Sequence, residues 1–191
     1  MRAAAPKAES AALVKEAESL LSRGLVPQAR DAATRACAAD PDYPQAFMVR
    51  ARADLALGRP ADARNALSRL PVLKYDGPEG HLLWAETYLA GGHGPEAFGH
   101  ADRAAALAPK EGKAFLYRAL ARAAMGEPRE RVLEDCAKAG SLSSRCPAPP
   151  KAWSGGPGEA RPPEGSAAGP YGVGLFIVGT ALVLGIFRNT Q

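Results

Sequence analysis

Four glycines, Gly24, Gly58, Gly92 and Gly126, follow one another at a constant interval of 34 residues. Ala17, Ala51, Ala85 and Ala119 keep the same interval, and so do Ala29, Ala63 and Ala97. A constant period means that one supersecondary unit recurs and that each copy buries its apolar face against a neighbour. A unit of this length holds two helices of about a dozen residues and two turns. The first alanine falls midway along the first helix, where a larger side chain would push its partner away. The glycine ends that helix with a backbone free to take positive φ. The second alanine meets the first helix from the second. Pro27, Pro60, Pro95 and Pro128 follow each glycine, near the second helix's first turn, where a missing N–H costs little. Pro41 and Pro109, two periods apart, stop a second helix from continuing.

Composition agrees with an all-α chain. Aromatics make up 6% of the 191 residues, and β-branched residues are sparse through most of the sequence, which disfavours a sandwich or barrel. Apolar residues recur at helical spacing around the fixed points: Leu13, Leu20 and Leu21; Phe47, Leu55 and Leu57; Leu82, Leu83 and Leu89; Phe115, Leu116 and Leu120.

The period and its small residues resemble the tetratricopeptide repeat (TPR) family. The resemblance covers residues 10–140 as four units, 10–43, 44–77, 78–111 and 112–140, behind an N-terminal extension, 1–9. Tyr75 stands where unit two should carry proline, with a Pro71–Gly77 turn region instead. Arg131 stands where unit four should carry the second-helix alanine, as befits an atypical terminal unit. The resemblance implies a helical-hairpin solenoid whose first helices form a concave face that binds a peptide or helix of a protein partner. In this register the face holds Val14, Glu18, Met48, Arg52, Leu82, Glu86, Leu89, Lys113, Leu116 and Leu120. The carboxylate clamp of chaperone-binding members is not expected. Its positions hold Val14, Glu18, Val49, Glu79 and Leu83, and two acidic side chains would repel a C-terminal carboxylate.

Two further segments follow the repeats. Over residues 141–170, Pro147, Pro149, Pro150, Pro157, Pro162, Pro163 and Pro170 alternate with glycines and leave hardly any apolar period. This composition predicts a disordered or polyproline-like tether. Gly172 to Phe187 then read GVGLFIVGTALVLGIF, without a charge, and Tyr171 extends the run. A helix over 171–187 spans about 25 Å at ~1.5 Å per residue, at the short end of the transmembrane range. Pro170 can start it, Tyr171 can sit at headgroup level, and Arg188 can snorkel, leaving a short tail over 188–191. The mean hydropathy of −0.18 therefore averages three unlike materials. No apolar run follows Met1-Arg2, so no secretory signal is expected. The expected topology is single-pass, with the repeats facing the cytoplasm and the lipid bilayer contacted through 171–187.

No catalytic residue, metal ligand set or cofactor is expected. The sequence has no GxSxG, HExxH or P-loop, and Gly91, Gly92 and Gly94 put His93 in a turn. His81 occupies a position that is usually apolar, which predicts partial burial. Cys37, Cys136 and Cys146, an odd count at wide spacing, make no disulfide framework, lack metal-ligand spacing and read as small buried or incidental thiols of a reducing compartment. A net charge of +4 with no basic stripe gives no reason to expect nucleic acid. The expected function is a membrane-tethered adaptor for protein partners. The alternative is a structural subunit of a membrane assembly such as a secretion, motility or envelope complex.

Overall fold

A computed structural model describes residues 4–142, 144 and 146, with side chains from Lys7 onward. The tether beyond Cys146 and the apolar run 171–187 lie outside the described residues. Among those described, no helix is long and apolar enough to cross a membrane. The described elements are all helical: α1 (Ala4–Ser22), α2 (Val26–Ala39), α3 (Pro44–Ala56), α4 (Pro60–Leu67), α5 (Arg69–Val72), α6 (Pro78–Ala90), α7 (Gly94–Leu107), α8 (Gly112–Ala124) and α9 (Arg129–Ser141).

The four periodic glycines have φ between +70° and +77°. Each closes a first helix with the same pair of hydrogen bonds. Gly24 N–H donates to Leu21 C=O and Leu25 N–H reaches back to Leu20 C=O. Gly58 and Arg59, Gly92 and His93, and Gly126 and Glu127 repeat the pattern. This double closure satisfies carbonyls that the helix end would otherwise leave open, and it needs one left-handed residue. A Cβ at these glycines would meet nothing within 4 Å. The demand is therefore on backbone conformation alone.

The periodic alanines are buried on both helices of the hairpins. Ala17, Ala51, Ala85 and Ala119 on the first helices are at most 1% exposed, and Ala29, Ala63 and Ala97 on the second helices are fully buried. In the last hairpin the core position slides by one residue. Pro128 caps α9 instead of entering its first turn, so Val132 is buried and Arg131 points to solvent.

The hairpins form two compact units that divide between Tyr75 and Asp76. In the first unit α1 packs on α2, α2 on α3 and α3 on α4. The helix α1 starts well ahead of residue 10, and the Ser10 hydroxyl, buried, donates to Ala36 C=O at the end of α2. The second helix of the second hairpin is broken: α4 stops at Leu67 and α5 restarts at Arg69. Pro71 accounts for the break, because its ring has no N–H for the Leu67 carbonyl and would collide with it in a continuous helix. Lys74, with φ +54°, then closes α5 as the glycines close the first helices. In the second unit α6 packs on α7, α7 on α8 and α8 on α9.

The start of the expected tether is part of the second unit. Ser144 N–H donates to Ala139 C=O, and Cys136 and Cys146 form a disulfide with their Cα atoms 5.3 Å apart. This corrects the reading of both as incidental thiols, which followed from an odd count and wide spacing. The cysteines are ten residues apart in sequence, and the chain turns back after α9 to bring them together. A Cβ on Gly112 would lie 2.6 Å from Ser144 Oγ and 2.8 Å from Leu142 C=O, so this return requires glycine there. Cys37 stays a free, buried thiol, its pKa pushed up to about 11 by burial.

Gly58→Ala and Gly126→Ala are expected to lower stability by about 1 kcal/mol each, from the left-handed penalty of a Cβ. Lys74→Gly is expected to stabilise the first unit or leave it unchanged. Urea unfolding followed by helicity measures all three.

Candidate functional site

The ten expected groove residues divide by unit and by burial. In the first unit, Val14 and Met48 are buried and hold α1 and α3 in the core. Glu18 and Arg52 remain at the surface. Arg52 NH1 lies 3.6 Å from Glu18 Oε1, a solvated pair between α1 and α3.

In the second unit, Leu116 is buried, while Leu82, Leu89 and Leu120 pack half-buried on the core around Ala85, Phe115 and Tyr117. Leu82, Glu86 and Leu89 share one face of α6, and Lys113, Tyr117 and Leu120 share one face of α8. The Tyr117 hydroxyl donates to Glu86 Oε2 at 3.0 Å and joins these faces. Lys113 is exposed in the first turn of α8, where Glu111 accepts its backbone N–H. The result is a strip of half-buried leucine around a carboxylate held by a tyrosine, with a lysine at one end. Tyr117 is the residue that sequence reasoning missed here. Its helical spacing from Lys113 and Leu120 was available as a signal.

Ion pairs on two buried aspartates tie α2 to α3 and join α7, α8 and α9. Asp54 on α3, fully buried, accepts from Arg30 Nε of α2 at 2.6 Å, and Arg50 Nε approaches it at 3.8 Å. The hydrogen bond and charge of Asp54 raise the Arg30 pKa, so this guanidinium stays ionised. In the second unit Asp135 of α9 is 1% exposed and takes both Arg118 and Arg122 of α8. Arg118 also reaches Asp102 of α7 at 2.7 Å, and its guanidinium carbon lies 5.1 Å from the Phe115 ring centre. One arginine therefore ties α7, α8 and α9 together. Bidentate geometry suits a planar guanidinium, and lysine could not copy it.

His81 lies on α6 and His100 on α7. His93 precedes α7, in the turn. His81 and His100 are part-buried and face each other, beside Trp84 and Tyr88. Among the described residues no group of three or more His, Cys, Asp or Glu could hold a metal ion.

Comparison with known proteins decides what kind of repeat this is. A tetratricopeptide-repeat profile matches residues 20–87. The fold is the tetratricopeptide-repeat fold. A thermophilic TPR protein of Thermus thermophilus superimposes with a TM-score of 0.63 at 22% identity, over 70% of this chain and 74% of that one. Two crystal structures of MamA give TM-scores of 0.58 and 0.60 at 21% and 20% identity. They cover 66% and 71% of this chain and 73% of each MamA chain. No curated protein matches the sequence.

Asp135→Ala removes a buried carboxylate shared by two part-buried guanidinium groups and is expected to cost about 3–5 kcal/mol. Glu18→Gln removes an exposed pair and is expected to change stability by less than about 1 kcal/mol. Urea midpoints of the two variants, compared with the unsubstituted chain, check the contrast.

Proposed function

We propose that this chain is a membrane-tethered adaptor whose helical repeats hold a peptide or helix of a protein partner. Tetratricopeptide-repeat folds are protein-interaction scaffolds, and the helix faces here offer the chemistry that such a partner needs. The strip of Leu82, Leu89 and Leu120 around the Glu86–Tyr117 hydrogen bond carries the reading. Half-buried leucines can give up their remaining water to an apolar side chain, while Glu86 and Lys113 fix its orientation. The Glu18–Arg52 pair offers a second, charged contact in the first unit. The apolar run 171–187 supports the tether, with the repeats on the cytoplasmic side. A bilayer anchor raises the effective concentration of the repeats near membrane partners without adding a contact.

Two measurements test the proposal. Full-length chain in membranes should capture a protein partner, identified by mass spectrometry and then titrated as the purified segment. Arg52→Glu combined with Glu86→Lys should weaken that titrated affinity at least tenfold with unchanged helicity. Unchanged affinity moves the site to other faces. Deletion of residues 171–191 should release the protein from membranes in a carbonate wash, and retention in the membrane pellet contradicts the anchor.

A further inference from the structure

His81 and His100 meet head-on. Their Nδ1 atoms are 3.0 Å apart and their ring centres 5.2 Å apart. The ring separation is close to the nitrogen separation plus two ring radii, so each nitrogen points at the other. Only one proton fits on that line.

The rest of the network determines how the proton is carried. Asp76 Oδ1 lies 2.6 Å from His81 Nε2, and Arg103 NH2 lies 2.6 Å from Asp76 Oδ2. A carboxylate accepts, so His81 Nε2 carries hydrogen. With His81 neutral, its Nδ1 offers a lone pair, and His100 Nδ1–H donates to it. With His81 cationic, its Nδ1–H donates and His100 accepts, carrying its own hydrogen on Nε2. Both states keep the bond. With both rings cationic, two N–H groups face each other at 3.0 Å, like charges oppose, and no hydrogen bond is left.

We propose that the His81–His100 contact is an acid-operated latch between α6 and α7. It stays closed while the pair carries at most one extra proton, and opens when the second ring is protonated.

The surroundings set which ring resists. Trp84 and Tyr88 of α6 stack on His100 with ring centres 5.4 and 5.5 Å away, and His93 meets Tyr88 edge-on. Burial in this stack, and then the charge of His81, hold the His100 pKa below its ordinary value. On α7, Glu96 lies one turn before His100, and Arg103 turns to Asp76. Of the charged groups that α8 turns toward α7, Arg118 is engaged by Asp102 and Asp135, and Arg122 by Asp135 and Glu127. Asp76 has its pKa lowered to about 2 by hydrogen bonds from Arg103 and His81, so it keeps its charge through the range in which imidazoles titrate.

The sign follows from linkage. A histidine whose pKa is lower folded than unfolded binds fewer protons in the folded state. Its stabilising effect is full above the ordinary value of about 6.5 and is lost as pH falls through the folded value. Asp76 contributes a separate loss, confined to the interval from the ordinary carboxylate value of 3.8 down to about 2.

The test uses the full chain with Trp153→Phe, which leaves Trp84 as the one tryptophan. Ring-nitrogen NMR and Trp84 fluorescence are followed from about pH 8 to about pH 4, together with amide-exchange protection factors in α6 and α7. The expected result is a His100 titration below about pH 6.5 with a fluorescence change of the same midpoint. Protection in α6 and α7 should fall at least tenfold across it. In His81→Gln, His100 should titrate at higher pH, and the loss of protection should disappear because a neutral amide can still accept from His100. The latch is overturned if His100 titrates at or above about pH 6.5 in the unsubstituted pair, if His81→Gln leaves its midpoint in place, or if protection is unchanged. The ring-nitrogen titration of the unsubstituted pair decides the matter even if His81→Gln does not fold.

Discussion

Complete burial of small residues on both helices of a hairpin is what the remaining structure depends on. Ala17, Ala51, Ala85 and Ala119 lie on first helices, Ala29, Ala63 and Ala97 on second helices, and almost none of their surface meets solvent. A methyl group takes little room, so a buried alanine lets the helix that covers it pack closely. Close-packed interiors tolerate little added volume, so these positions fix the hairpin geometry more firmly than the leucines around them. The left-handed glycines supply the complementary condition, turning the chain within a few residues so that the second helix starts back along the first.

Departures from this pattern explain the division of the chain. Three hairpins have an uninterrupted second helix, and the second hairpin does not. Pro71 breaks it after Leu67, and Lys74 takes the left-handed position that closes α5. The two compact units separate directly after Tyr75. The same stretch stands out in sequence, where Tyr75 replaces a proline of the period. The last hairpin departs differently: Pro128 delays α9 by a residue, which puts Val132 in the core and releases Arg131.

Much of the fold was legible because periodic small residues have few physical uses. A glycine with fixed spacing between apolar helices has to end one, and an alanine that keeps the same period marks a buried position. The candidate surface was less legible. Val14, Met48 and Leu116 share the helical phase of surface residues, yet they are buried. A single helix face cannot reveal which of its leucines a neighbouring helix covers. Polar partnerships were harder still. Asp135 gathers Arg118 and Arg122 from another helix, and Cys136 pairs with Cys146 only because the chain turns back after α9. His81 was expected to be half-buried, but its partner His100 lies on the adjacent helix and shares no spacing with it.

The proposed function rests on a scaffold whose buried positions are largely small residues. In the proposed recognition surface, the Tyr117–Glu86 hydrogen bond joins α6 to α8, and the Arg118–Asp135 pair ties α8 to α9. The most direct test is one substitution made at two sites. Ala85→Leu in the buried core of the second unit is compared with Ala106→Leu on the exposed side of α7 by urea unfolding. Ala85→Leu is expected to cost about 1–3 kcal/mol through overpacking, while Ala106→Leu should change little. Equal effects at the two sites would contradict the dependence on buried small residues.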